Sequence, residues 1–373
     1  MIKKVYIDNY KSLVNFDFNP GPVQLILGAN GAGKTSMFEA LVALRGFLVE
    51  GGSIAEIFPP RTLTRWDLRS VQTFELTVER DGDEYTYRVE IEHDRFNTRA
   101  RIKLERLTIN GSHLYDFSVG EVQLYRDDFS VGPKFPAEWS RSGLFNVPSR
   151  HDNRKLSWFK SWMASLCCIQ ADTRQVRLLS DREESRPDRR LSNFASWFRH
   201  LQLEKPGAVH SLFESLKGVI EGFEGMITAQ EGESLRALRV SLISNLGDGK
   251  VPAAVRYGLD ELSDGQRMLI FLYTLSHCAL EPGATLFIDD PVIHVAIREI
   301  QPWLTHAIDR ADDIGSQLLL ISHHPELIDY LAREKGIEFR REHNGPVRVL
   351  PYRDDPESGL PPSEQLARGW EDG

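Results

Sequence analysis

The chain predicts an α/β fold: a mixed sheet around one glycine-rich loop, with an antiparallel β lobe and a helical lobe attached. Three observations predict it. Val23–Leu27 is a continuous apolar run, a glycine-rich loop follows, and Phe38, Leu41, Val42 and Val49 then recur at helical spacing. Between about 71 and 125, alternating runs are separated by Asp81-Gly82 and Asn110-Gly111, the turn dipeptides of an antiparallel meander. From about 153 to 225 the apolar spacing becomes helical.

The totals bound the rest. A chain of 373 residues with 41% hydrophobic content is long enough for a sizeable core and two or three structural units. No apolar run approaches the roughly 20 residues of a membrane span. The N-terminus mixes charge into strand-like alternation and has no signal-peptide core, which predicts a cytoplasmic protein without membrane contact. A net charge of −9 argues against a surface coated with nucleic acid, although a local basic strip remains compatible with it. Of the three cysteines, Cys167 and Cys168 are adjacent and Cys278 is distant, so there is no C-x-x-C pair and buried, reduced thiols are expected.

In chain order, Lys3–Ile7 alternates and Asn15–Phe18 forms a second short run, with the turn Asn9-Tyr10-Lys11-Ser12 between them. Lys11 reads either as a solvated turn lysine or as a side chain within reach of a ligand. Asn19-Pro20-Gly21-Pro22 turns the chain into the Val23–Leu27 strand. A helix is expected over 34–49, then strands over Val71–Val78, Tyr85–Ile91, Thr98–Leu104 and Val122–Leu124. Trp158, Phe159, Trp162, Met163 and Leu166 share one helical face; Leu191, Phe194, Ala195, Phe198 and Leu201 share another. The mixed-charge stretch Ser180–Arg190 between them reads as a solvated surface or as a contact to nucleic acid or a partner. Leu238–Ile243 reads as a strand and Gly247-Asp248-Gly249 as a turn. The expected divisions are 1–150 (loop and β meander), 151–255 (helical lobe), 256–350 (the remaining motifs) and a Pro-, Gly- and acid-rich tail, 351–373.

The loop Gly28-Ala29-Asn30-Gly31-Ala32-Gly33-Lys34-Thr35 fits the phosphate-loop pattern G-x-x-x-x-G-K-[S/T] at every fixed position. Glycines let backbone N–H groups turn toward phosphate oxygens. Lys34 supplies a cation for β- and γ-phosphates, the Thr35 hydroxyl is a Mg²⁺ ligand, and the following helix points its positive end at the same anion. Asn30, Gly31, Gly33, Lys34, Thr35 and Ser36 are therefore the candidate nucleotide contacts.

Three further segments refine this reading. Glu261-Leu262-Ser263-Asp264-Gly265-Gln266-Arg267 opens a helix carrying Met268, Leu269, Leu272, Leu275 and Ala279. It resembles the LSGGQ signature of ABC-type ATPases, and more closely the L-S-D-G-Q-[R/K] form of SMC- and RecF-like members. Ser263, Gly265 and Gln266 would face a γ-phosphate at the positive start of that helix. Ala284–Pro291 is an apolar strand ending in acids and resembles a Walker B element, with Asp290 where the family has Glu. The resemblance implies that Asp289 belongs to the Mg²⁺ shell and that Asp290 polarises the attacking water. Gln317–Ile328 resembles the switch segment of ABC ATPases, especially the T-H-S-P-E-L-I form of overcoming-lysogenisation (OLD) ATPases. His323 fits the switch histidine that contacts the γ-phosphate, and His324 is its neighbour. Asn9-Tyr10-Lys11-Ser12 resembles the N-F-K-S segment of these ATPases, which adds Lys11 to the candidate contacts. Gln170, after an apolar stretch, is the candidate Q-loop glutamine and further Mg²⁺ ligand.

The resemblance covers 1–50 and 255–335 and implies an ABC-type P-loop ATPase head that uses ATP and Mg²⁺ and dimerises head to head. No long coiled coil or zinc-hook cysteines separate the motifs, unlike full SMC proteins or hook-bearing nuclease subunits. The stretch after His323 is too short for the Toprim nuclease of OLD proteins. The expected function is therefore a stand-alone ATPase that regulates a separate effector, such as a nuclease or toxin, in a bacterial defence module. The alternative is a RecF-like, DNA-binding ATPase of repair or replication. The large insert and the β meander disfavour a transporter subunit.

Overall fold

Three tight turns build the largest sheet. A two-residue loop joins antiparallel strands without splaying them when both residues take positive φ. Asp81 and Gly82 (52° and 86°), Asn110 and Gly111 (47° and 80°), and Val119 and Gly120 (52° and 78°) all do so. The computed structural model describes residues 1–94, 99–244 and 253–369. They divide into two compact units, which are taken separately.

The first unit holds 1–166, 283–285 and 334–353. Its eight-stranded antiparallel sheet runs, in spatial order, Phe16–Phe18, Ile2–Asp8, Val71–Arg80, Asp83–Asp94, Arg99–Ile109, Ser112–Ser118, Glu121–Tyr125 and Val131–Pro136. Alternation sets the core: along Asp83–Asp94, Tyr85, Tyr87, Val89 and Ile91 are all buried. The helix Arg154–Ser165 lays Trp158 on Tyr85 and Phe159 on Tyr87, with ring centroids 4.5 and 5.8 Å apart. Buried Glu105 accepts hydrogen bonds from the Tyr87 hydroxyl (3.0 Å), the Tyr115 hydroxyl (2.7 Å), Ser142 Oγ and the Gly143 N–H (3.1 Å). Burial raises its pKa. The same unit pairs Val23–Leu27 with Gly336–Arg341 in parallel, and Gly336–Arg341 with Val347–Pro351 antiparallel.

The second unit holds 167–282, 286–333 and 354–369. Cys167–Ile169 runs parallel to the strand ending at Asp289, which neighbours Gln317–Ile321. An antiparallel sheet centres on Leu235–Ser244, flanked by Phe223–Glu231 and by the strands Leu179–Ser180 and Ala253–Gly258. Helices Phe194–Glu204 and Pro206–Val219 pack near Asp264–Thr274, with Phe194 4.6 Å from Phe271. That last helix runs into a π-helical turn, Leu275–Ala279.

The α/β class with parallel and antiparallel strands is as the sequence predicts. Three details differ. The 151–255 stretch, expected to be helical up to the Leu238–Ile243 strand, also carries the strands Cys167–Ile169, Leu179–Ser180 and Phe223–Glu231. Ser112–Ser118 and Val131–Pro136 are strands beyond those expected. Leu191 precedes its helix, in a left-handed conformation (φ 59°), instead of lying on it. Thr98 and the Gly247-Asp248-Gly249 turn lie outside the described residues. Among the described residues, no helix is long and apolar enough to cross a membrane and no cluster of three or more His, Cys, Asp or Glu residues is poised to hold a metal.

Candidate functional site

In the first unit, the phosphate loop follows a fully buried strand, and its glycines answer separate demands. Gly28 (φ 134°) lies so close to the next strand that a Cβ would sit 2.2 Å from the Phe339 carbonyl oxygen. At Gly33 (φ 96°) a Cβ would meet Val347 Cγ2 at 2.6 Å. Gly31 (φ 82°) has open space around it, so its backbone conformation alone favours glycine. Lys34 is buried, 6% exposed, and its Nζ donates to the carbonyls of Gly28 (2.6 Å) and Ala29 (3.0 Å). Its stem thus crosses beneath the loop and fixes the ammonium inside it. Asn30, Gly31 and Thr35 are exposed and Ser36 is half-buried. The helix Lys34–Val49 has no acidic residue in its first turn, so nothing of its own offsets the positive end that faces the loop.

Lys11 sits in the preceding turn at φ 52°, its N–H bonded to the Thr62 carbonyl (2.7 Å), and its ammonium pairs with Glu39. Asn9 holds that turn in place. Its Nδ2 donates to the carbonyls of Arg69 (2.8 Å) and Val71 (3.0 Å), and its Oδ1 accepts from the Thr64 N–H (3.2 Å). Asn9 sits at a left-handed φ of 60°, a position that suits Asn; its only mark in the sequence is its place in the Asn9-Tyr10-Lys11-Ser12 turn.

In the second unit, Asp289 ends its strand only 4% exposed. Asp290 follows at φ 51°, and its N–H donates to the Ile321 carbonyl (2.9 Å), tying the two acidic positions to the end of Gln317–Ile321. Gln170 stands just past Cys167–Ile169 and its Nε2 donates to Asp289 Oδ2 (3.0 Å). Its Oε1 accepts from Arg189 (2.8 Å). The structure thus brings Gln170 onto Asp289, with the amide donor, not the acceptor, facing the carboxylate.

The adjacent histidines separate. His324 Nδ1 accepts from the Glu326 N–H (3.2 Å) and its own N–H donates to Ser322 Oγ (3.1 Å), so His324 caps the helix Pro325–Lys335. His323 is exposed.

Ser263 is the N-cap of the helix Asp264–Thr274. Its Oγ accepts from the Gln266 N–H (3.2 Å), and Gln266 Oε1 returns a bond to the Ser263 N–H (3.1 Å). Gln266 therefore serves the cap, while Ser263 remains exposed at the helix start. A Cβ on Gly265 would lie 2.7 Å from the His294 carbonyl oxygen, so only glycine lets this helix start approach the chain beyond Asp290. Thr173 donates to Asp264, Arg267 bonds the same carboxylate (3.0 Å), and Arg267 also reaches the Thr173 carbonyl (3.1 Å). The Thr173 hydroxyl, aided by Arg267, holds the Asp264 carboxyl below its usual pKa. This cluster joins the segment after Gln170 to the start of the Ser263 helix.

A family model described as "AAA domain, putative AbiEii toxin, Type IV TA system" matches residues 25–329. The chain belongs to this AAA family. The match runs from the strand before the phosphate loop to the helix after His323. No curated protein sequence matches the chain. Among solved structures, the SMC head bound to the C-winged helix domain of ScpA is similar at 11% identity, covering 96% of this chain and 99% of that one, with a TM-score of 0.55. An SMC head domain from Thermotoga maritima is 13% identical over 95% of this chain and 99% of that chain, with a TM-score of 0.46. The AAA domain thus has the fold of an SMC- and ABC-like P-loop ATPase head.

The mixed-charge stretch holds the main surprise of this AAA domain. Asp188 accepts from the N–H groups of Arg190 (2.9 Å), Ser192 (2.9 Å) and Asn193 (3.2 Å), and Asn193 Oδ1 accepts from the Asp188 N–H (2.9 Å). The loop is ordered by its own carboxylate, and it carries Arg189 onto Gln170.

Proposed function

We propose that this chain binds and hydrolyses MgATP, closes head to head on a second copy of itself around nucleotide, and regulates a separate effector of a toxin or defence module. The phosphate loop carries this reading: buried Lys34 is fixed within a glycine-shaped loop at the start of a helix free of first-turn acids. Thr35, Asp289 and Gln170 are the residues that would hold Mg²⁺, through a hydroxyl, a carboxylate and, once Arg189 releases it, a carboxamide oxygen. When bound, the ion neutralises charge on the phosphates. Lys34 binds and orients the β- and γ-phosphates. Asp290 takes the proton of the attacking water, and exposed His323 reaches the γ-phosphate. Ser263, at the start of a different helix, serves the nucleotide of the opposite copy.

The family description supports the toxin-module part of this reading. The test is ATP turnover by purified chain beside Lys34→Ala. The variant is expected to keep its fold and to lose at least about tenfold in turnover, about 1.4 kcal/mol of transition-state stabilisation. Equal rates, corrected for contaminants, would rule the assignment out.

A further inference from the structure

The orientation of the Gln170 carboxamide is fixed by its two neighbours. An ionised carboxylate only accepts hydrogen bonds and a guanidinium only donates them. The Gln170 Nε2 must therefore face Asp289 (3.0 Å) and Oε1 must face Arg189 (2.8 Å). Mg²⁺ takes oxygen ligands, so Gln170 could join its shell only through Oε1. That atom is the one Arg189 holds. Turning the carboxamide over does not resolve the conflict while Arg189 stays, because it sets an NH₂ against the guanidinium, donor against donor.

We propose that Arg189 is a latch on Gln170, holding the carboxamide in its non-ligating orientation until it is withdrawn. The proposal rests on the MgATP reading above. The backbone supports the latch. The Gln170 N–H donates to the Arg189 carbonyl (2.7 Å) and the Asp172 N–H to that of Arg190 (3.1 Å), so the two segments run side by side. The Asp188 and Asn193 bonds hold the turn that presents Arg189. Gln170 and Arg189 are both only half-buried. Arg189 is thus a positioning residue: it acts through Gln170 and sets when the metal shell is completed.

The test measures metal binding, not turnover. Mn²⁺ is titrated into the full chain with a non-hydrolysable ATP analogue, and free Mn²⁺ is read by its spin-resonance signal. Arg189→Met keeps the side-chain length and removes the donors. It is expected to bind Mn²⁺ about tenfold more tightly than wild type, the scale of one lost charge-assisted hydrogen bond. Nucleotide affinity in chelator should be unchanged, and the gain should vanish in a Gln170→Ala background. Arg189→Lys retains a cationic donor on a shorter reach and is expected to gain less than Arg189→Met; it also serves if the methionine variant does not fold. Unchanged or weaker Mn²⁺ binding in both variants overturns the latch, as does an equal gain without Gln170. Failure of wild type to bind nucleotide at all would overturn the MgATP reading itself, and is seen separately in the chelator titration.

Discussion

Asp290 departs from the resembled family in side chain, and the structure adds a reason in the backbone. Its φ of 51° is left-handed, a conformation that Asp and Asn enter far more readily than most residues. The short carboxylate and the backbone conformation therefore belong together. Asp290→Asn keeps the shape and the backbone tolerance but removes the base. It is expected to retain ATP affinity while turnover falls at least about a hundredfold, the low end of general-base contributions. Asp290→Glu puts a longer side chain on a strained backbone and is expected to lose turnover too. Wild-type turnover in Asp290→Asn would remove Asp290 from the chemistry. A second residue sets a pH dependence. The His277 imidazole is buried, with Nε2 2.9 Å from Ser215 Oγ and its ring 4.6 Å from that of His306. Burial, then His306 and Arg310, push its pKa down to about 4, against an ordinary value near 6.5. Because the folded value is the lower one, the unfolded chain takes up the proton first. The contribution is complete above about pH 6.5 and is lost as pH falls toward 4. Urea unfolding of His277→Asn between those values should show a flatter stability profile than wild type; parallel profiles would contradict the assignment.

Among the elements, the hairpins vary in how well their residues suit their turns. Asp81-Gly82 and Asn110-Gly111 are the dipeptides such turns favour, whereas Val119 holds φ 52° with a β-branched side chain that is 81% exposed. Left-handed backbone costs such a residue about 1–2 kcal/mol. Val119→Asn should therefore raise stability by about 1 kcal/mol, read as a higher melting temperature; a lower one would mean that the side chain has contacts worth more than the strain. The same turns explain what was legible. Asp81-Gly82 and Asn110-Gly111 announced their hairpins, whereas Val119-Gly120 carried no such signal, and the strand it closes, Ser112–Ser118, passed unseen. The strand–loop–helix of the phosphate loop, the acidic strand end at Asp289 and the capped start at Ser263 are local patterns, and each lies where the sequence placed it. Arg189 is different. Its role depends on a fold-back between residues far apart in the chain, and in a string of alternating charges nothing marks one arginine from the next. The strand Phe223–Glu231 escaped for a related reason: it is mostly half-exposed and shows no clean alternation.

At the scale of the whole molecule, the proposed regulation of an effector by this SMC- and ABC-like ATPase fold predicts a stable partner. Purification from the native host under gentle conditions should recover the chain with a second protein. A chain always isolated alone, with ATPase strongly stimulated by DNA, would favour the RecF-like reading instead. The central claim is that Ser263 works on the nucleotide of the opposite copy, and complementation between two inactive variants tests it most directly. Lys34→Ala disables the phosphate loop. Ser263→Asp keeps a good N-cap acceptor, so the helix start is preserved, and sets a negative charge against the incoming γ-phosphate. In an equal mixture half of the dimers are mixed, and each mixed dimer holds one intact composite site. The account predicts that the mixture recovers up to about a quarter of wild-type turnover, well above either variant alone. If both variants fold and dimerise, yet the mixture never exceeds them, Ser263 does not act across the dimer and the account is contradicted.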